Sequence, residues 1–250
     1  MYIMKSALTI LLLAPFIVSA NCFGGSNSSV NSKYPNHFYI GPEAFAFDLH
    51  THVKDIKIHG VRYFVGPTLR YEYLKPKALY AGVDFLASWG NKTFKRTSQK
   101  YEFHGNGRVG FGNLELRLGY TFEQKEGLVS PYLGIGFYGF GSSGANETLA
   151  YVTAGMRSLF DLNESFSMGL NLKLLFAPSA ERKFKYHYEG HKKRLHEYEN
   201  MWGGEIGVPL VWYFSASKRW QVQLEPYFLK LDFTETQNIY GARLLLGYRF

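Results

Sequence analysis

Residues able to do chemistry are scattered through this 250-residue chain, and their densest group lies between Ser179 and Met201. That stretch, SAERKFKYHYEGHKKRLHEYENM, carries Arg182, Lys183, Lys185, Lys192, Lys193 and Arg194 beside four acidic residues, with Phe184, Tyr186, Tyr188 and Tyr198 interleaved. Cations set between aromatic faces suit an anionic ligand: a sulfated or phosphorylated polysaccharide, a host surface, or the phosphates of lipopolysaccharide. The plainer reading is a solvated charge run. His187, His191 and His196 share the stretch, but without Cys or an established ligand spacing they define no metal site. A second basic stretch between Gly90 and Gly107 holds Lys92, Lys95, Arg96 and Lys100 against Glu102.

Asp48 and His104 qualify for proton transfer by residue type alone. No nucleophile motif or paired carboxylate accompanies them. GNGRVGFG (105–112) leads from a loop into a strand, whereas a phosphate-cradling fingerprint leads from a strand into a helix. Binding is therefore expected rather than catalysis, with no catalytic residue, cofactor or metal. Nucleic acid is not an expected partner, because the basic residues belong to an exported chain without a nucleic-acid motif.

Export is read from residues 1–20. Lys5 supplies a positive start, Ala7 to Val18 an apolar centre, and Val18-Ser19-Ala20 a small-residue cleavage site, so a cleaved signal peptide is expected. Cys22 raises lipid attachment, which Asn21 disfavours where a small residue is needed. As the single cysteine, it excludes an intramolecular disulfide. Residues 21–36, rich in Ser, Asn and Gly, read as a flexible leader. Without the signal's one Lys, 27 basic residues face 20 acidic ones, a net charge of +7 that suits anionic surfaces.

The elements that must position these side chains are strands. In Leu114 to Phe122, LELRLGYTF, apolar residues occupy every second place and Glu115, Arg117, Gly119 and Thr121 the others, the period of a strand. The same alternation marks 61–73, 166–176, 202–214 and 240–250. Weaker versions complete ten candidates, near 38–50, 58–74, 78–89, 108–122, 129–140, 148–161, 165–177, 201–214, 219–231 and 238–250. In the first, Glu43 shares a face with Phe45 and Phe47. In the ninth, Lys230 shares one with Val222, Leu224 and Phe228. A bulge or register change is expected at each.

Short connections (75–77, 123–128, 161–165, 215–219) alternate with generally longer ones, notably the polar stretches 90–107 and 179–201. The fold class expected is all-β: a transmembrane antiparallel up-and-down β-barrel of about ten strands over residues 37–250, eight to twelve being the range allowed. Roughly fifty large apolar side chains exceed what a small barrel interior holds. A soluble sandwich could bury them, but its strands are typically about five or six residues long and these are longer, so the apolar face is expected to point to lipid. The polar face then lines the lumen, carrying Arg62, Arg70, Glu72, Asp84, Glu115, Arg117, Arg157, Lys173, Glu205, Glu225, Arg243 and Arg249 among many glycines. Side chains of opposite charge at this density can plug a narrow barrel; the competing reading is a charged, porin-like pore.

Signal, meander and the closing YGARLLLGYRF together resemble the small bacterial outer-membrane β-barrel proteins in the broad OmpA-like and OmpX-like sense. The resemblance covers residues 37–250. In that family the last strand ends on an aromatic residue with apolar side chains at alternate positions before it, matched here by Phe250, Tyr248, Leu246, Leu244, Ala242 and Tyr240. The resemblance implies an outer-membrane location, surface-exposed loops, and surrounding lipid and lipopolysaccharide as partners. It also implies that this strand is read by the barrel-assembly machinery. The role expected is structural or surface-interacting, adhesin-like. A narrow diffusion channel is the alternative, and a lipid- or peptide-hydrolysing barrel a weaker one.

Overall fold

A computed structural model describes residues 33–53, 56–97, 102–125, 127–142, 145–184, 195–214, 217–232 and 236–250. The expected signal peptide and most of the expected leader lie outside the described residues. Eleven strand segments follow in order: β1 (Asn36–Val53), β2 (Ile56–Leu74), β3 (Ala78–Thr97), β4 (Glu102–Gln124), β5 (Gly127–Ser142), β6 (Ala145–Asn163), β7 (Phe166–Phe184), β8 (Leu195–Gly207), β9 (Leu210–Tyr213), β10 (Trp220–Asp232) and β11 (Thr236–Arg249). β8 and β9 are two halves of one crossing strand, both lying between β7 and β10. They part at Val208 and Pro209, where proline has no N–H for the ladder. The register carries across the break, held by Gly169 N–H to the Pro209 carbonyl (2.8 Å) and Val208 N–H to the Pro226 carbonyl (3.0 Å).

Each strand pairs antiparallel with its sequence neighbour, and β11 pairs back onto β1 through Phe38↔Tyr248, Ala44↔Ala242 and Phe47↔Ile239. The result is a closed up-and-down barrel of ten strands with no free edge, the arrangement that satisfies every backbone group in lipid. Asn36 completes the seam: its N–H donates to the Phe250 carbonyl (3.1 Å), and Phe250 N–H donates to the Asn36 carbonyl (2.9 Å).

Two expected irregularities are absent. β1 keeps one register along β2 and β11, and Glu43, Phe45 and Phe47 all point inward. That face mixes charge and aromatic rings because the lumen itself turns apolar beyond Glu43. β10 is likewise regular, and Lys230 points outward beside Asp232 (3.4 Å), both half-exposed at the end of the lipid-facing surface. Register shifts fall instead in the β6–β7 pair, between Leu149 and Val152 and between Asp161 and Asn163. The first lies opposite the β7 segment containing Pro178.

The long polar stretches are also corrected. β3 and β4 remain paired out to Thr97↔Glu102, and β7 reaches Phe184 against a β8 that begins at Leu195. Neither needs an apolar face, because ladder hydrogen bonds satisfy the backbone and both faces can be solvated. Thr97 lies eight residues past Trp89, about 26 Å along the strand. These hairpins therefore stand clear of the lipid.

Outward side chains form a band of Leu, Val, Ile and Ala between two aromatic girdles. Tyr120–Phe122, Phe166–Trp212 and Trp220–Tyr248 ring pairs, with centroids 4.8–5.1 Å apart, mark the end that carries the short turns and Phe250. Phe176–Trp202 (4.6 Å) and Phe228–Tyr240 (5.0 Å) mark the other. Leu118, Leu133 and Ile135 between them are 60–70% exposed, which a soluble protein would not leave uncovered.

The lumen is filled in layers. Nearest the short turns lie Leu74, Tyr80, Leu128 and Tyr132, with Leu159, Val211 and Tyr213 across from them. A charged layer crosses the middle. Above it stands an apolar cluster that includes Phe45, Phe47, Phe64, Phe140, Leu149 and Met201. Glycines make room for lumen tyrosines directly opposite them: Tyr39 over Gly247, Tyr132 over Gly155, Tyr151 over Gly136 and Tyr227 over Gly241. A Cβ at Gly136 would lie 2.2 Å from the Tyr151 ring, so only glycine fits while the ring stays in place.

Candidate functional site

The charged middle layer draws on every crossing strand except β5, which brings Gly134 and Gly136 instead. Strand alternation sends its members inward at matching heights. Arg70 on β2 donates through Nε to Asp84 on β3 (2.7 Å) and through Nη1 to Glu225 on β10 (2.6 Å). Asp84 also takes Arg117 Nη2 from β4 (2.5 Å), and Glu72 pairs with Arg157 Nη2 from β6 (2.8 Å). Lys173 on β7 bridges Glu115 (3.0 Å) and Glu205 (2.7 Å). Arg243 on β11 closes the circuit with Glu43 (3.1 Å), Glu205 (3.2 Å) and Glu225 (3.2 Å).

Five cations (Arg70, Arg117, Arg157, Lys173, Arg243) thus meet six carboxylates (Glu43, Glu72, Asp84, Glu115, Glu205, Glu225) in one connected network, the Glu72–Arg157 pair joining the rest through Arg117 Nη1 at 3.9 Å from Glu72. Its links cross the lumen as well as joining neighbours: Arg70 and Glu225 sit on strands separated by β1 and β11. Tyrosines tie the carboxylates further, with Tyr80 donating to Glu72 (3.0 Å), Tyr151 to Glu115 (3.0 Å) and Tyr227 to Glu43 (2.6 Å). Asn171 and Gln223 each donate to Glu225 at 2.7 Å. Desolvating so many charges is costly, and only dense pairing of this kind offsets it.

Of the lumen residues expected from sequence, Arg70, Glu72, Glu115, Arg117, Arg157, Lys173, Glu205 and Arg243 all enter this network, as do Asp84 and Glu225. Arg62 stands higher, its guanidinium over the rings of Phe140 (4.6 Å) and Phe47 (5.5 Å). Arg249 lies lower, donating to Gln221 (3.1 Å) and to the Tyr213 hydroxyl (2.8 Å). Sequence reading expected tyrosines in the lumen but missed Glu43 as a lumen charge and the particular carboxylates the tyrosines hold. The alternating register of Glu43 with two phenylalanines was the available signal, as were the glycines at inward positions.

The final strand places Tyr240, Leu244, Leu246 and Phe250 on the lipid face, each about half-exposed, and packs Tyr248 at a tilt against Trp220. In the basic stretch, Arg182 and Lys183 belong to β7, opposite His196 and Leu195 of β8 rather than in a loop. Lys185, Lys192, Lys193, Arg194, His187 and His191 lie outside the described residues. Asp48 and His104 sit on β1 and β4, with two strands between them and backbone partners Val61 and Lys95. The fold does not pair them. Among the described residues no cluster of three or more His, Cys, Asp or Glu is arranged to hold a metal.

No family model matches the chain, and no curated protein matches its sequence. Solved structures do match its fold. The outer membrane protease OmpT from Escherichia coli aligns over 90% of this chain and 99% of its own, with TM-score 0.57 and 10% identity. The outer membrane protein OprG from Pseudomonas aeruginosa aligns over 87% and 97%, with TM-score 0.39 and 12% identity. The translocator domain of autotransporter NalP from Neisseria meningitidis covers 100% and 98%, at TM-score 0.40 and 11% identity. The likeness to OmpT is one of fold. A closed ten-stranded barrel with a girdled apolar exterior defines the class: this chain has the fold of the integral β-barrels of the bacterial outer membrane.

Proposed function

We propose that the barrel is a closed scaffold acting at the cell surface, binding anionic ligands through its projecting basic hairpins, and is not a diffusion channel. The observation that carries this reading is the charge network. Its side chains come from nine of the ten strands, and the five cations are no more than 13% exposed. A solute crossing the lumen would have to break several buried pairs at once, each costing about 3–5 kcal/mol when one partner is removed. The height of the β3–β4 and β7–β8 hairpins supports a role outside the membrane. A net charge of +7 beyond the signal favours polyanions such as sulfated polysaccharide or lipopolysaccharide phosphates. Catalysis is no part of this proposal, since Asp48 and His104 are not brought together.

Liposome swelling tests the closed lumen. Vesicles carrying the protein are expected to swell in small sugars and amino acids no faster than empty ones, and faster swelling would replace the scaffold with a channel. Retention on a sulfated-polysaccharide column tests the surface role. Elution by moderate salt is expected, because the contacts are exposed and screened.

A further inference from the structure

We propose that the apolar cluster above the charge network lines a binding site for a small neutral amphiphile, an apolar body carrying one hydroxyl or carbonyl oxygen. A cavity of about 50 Å³ sits there, walled by side chains such as Phe111, Leu149, Leu175 and Leu231 and floored by Glu43, Lys173, Glu205 and Arg243. One water needs on the order of 10–15 Å³, so a space of about 50 Å³ suits a molecule of about three to five heavy atoms. Mixed walls of this type, mainly apolar with a few convergent polar groups, are the usual character of small-molecule sites.

The floor decides the polar group. Every charge on it is already matched: Arg243 with Glu43 and Glu205, Lys173 with Glu205 and Glu115. An ionised ligand would enter apolar surroundings without an unpaired counter-charge and would not recover its lost hydration. Donors remain, however. Arg243 uses Nε and Nη1 in its ion pairs, which leaves Nη2 without a hydrogen bond among the described residues. Lys173 has three N–H bonds for two carboxylates. These groups can donate to a neutral oxygen, while the body of the ligand lies against Leu149 and Leu175.

The cavity is blind only if the network closes the lumen, so the inference rests on the scaffold reading. The test uses the full barrel refolded in detergent with 13C-labelled leucine methyls, titrated with n-butanol, propionate and butylamine, each of five heavy atoms. Butanol is expected to shift cavity methyls saturably, with both ions at least tenfold weaker. Leu175→Phe, which fills the cavity, should abolish the saturable shift while the protein keeps its heat-modifiable mobility. Should that variant not fold, the ligand order in the wild type still decides. Linear, micelle-like shifts, equal binding of either ion, or an unchanged response in folded Leu175→Phe would overturn the proposal. Swelling of liposomes made from the same preparation separates the failures. Solute flux defeats the closed scaffold, whereas no flux and no butanol binding defeats the cavity site alone.

Discussion

Glu225→Gln is the sharpest single perturbation of the network. Glu225 is fully buried, and its two oxygens are shared evenly among donors. Oε1 accepts from Asn171 (2.7 Å) and Arg243 (3.2 Å), and Oε2 accepts from Arg70 (2.6 Å) and Gln223 (2.7 Å). Glutamine has nearly the same shape but only one acceptor oxygen. Whichever way its amide turns, an NH2 group faces two donors. Bonds to a charged partner are worth about 1.5–3 kcal/mol each, and two are lost. Arg70 retains Asp84, and Arg243 retains Glu43 and Glu205, which limits the damage. A loss of about 3–5 kcal/mol is therefore expected, within the range for breaking a buried pair. Urea unfolding of the barrel refolded into lipid vesicles, read by the mobility of unheated samples, measures it. Lys230→Gln is the internal control, because its half-exposed pair with Asp232 should be worth under about 1 kcal/mol. A Glu225→Gln cost no larger than that of Lys230→Gln would refute the claim that the network is tightly coupled.

Other outcomes follow from the same geometry. Gly136→Ala should cost about 1–3 kcal/mol, because Tyr151 must move and loosen its bonds to Asn113 and Glu115. Gly139→Ala, with open space around the new methyl, should be nearly neutral in the same unfolding assay. Deleting Phe250 removes the backbone pair with Asn36 and the last aromatic of the girdle, and should lower the heat-modifiable fraction recovered in the outer membrane. Normal recovery would remove the terminal residue from the assembly argument. Neutralising Lys192, Lys193 and Arg194 together to Gln should advance elution from sulfated polysaccharide to lower salt. Unchanged elution would place binding elsewhere.

Period-two alternation made the barrel legible because lipid imposes the same demand on every crossing strand. Leu114 to Phe122 shows it without exception, and Tyr240 to Phe250 nearly so. What alternation cannot encode is the composition of the inner face at each height. Phe45 and Phe47 look misplaced beside Glu43 until the lumen is seen to change from charged to apolar between them. Lys230 looks misplaced beside Phe228 until the strand is seen to leave the lipid there. The polar stretches 90–107 and 179–201 concealed strand pairing for a related reason: a hairpin standing in water needs no apolar face. The lumen charges could be named from parity alone, but their partners could not. Arg70 and Glu225 are 155 residues apart and meet only because β11 closes on β1.

The proposed closure of the lumen is the centre of this account, and single-channel recording in a planar bilayer tests it most directly. Wild-type protein should insert without stable unitary conductance, while Arg70→Ala combined with Arg243→Ala, removing the two cations that pair with Glu225, should raise conductance events above that baseline. Stable, reproducible unitary conductance from the wild-type barrel would contradict the account.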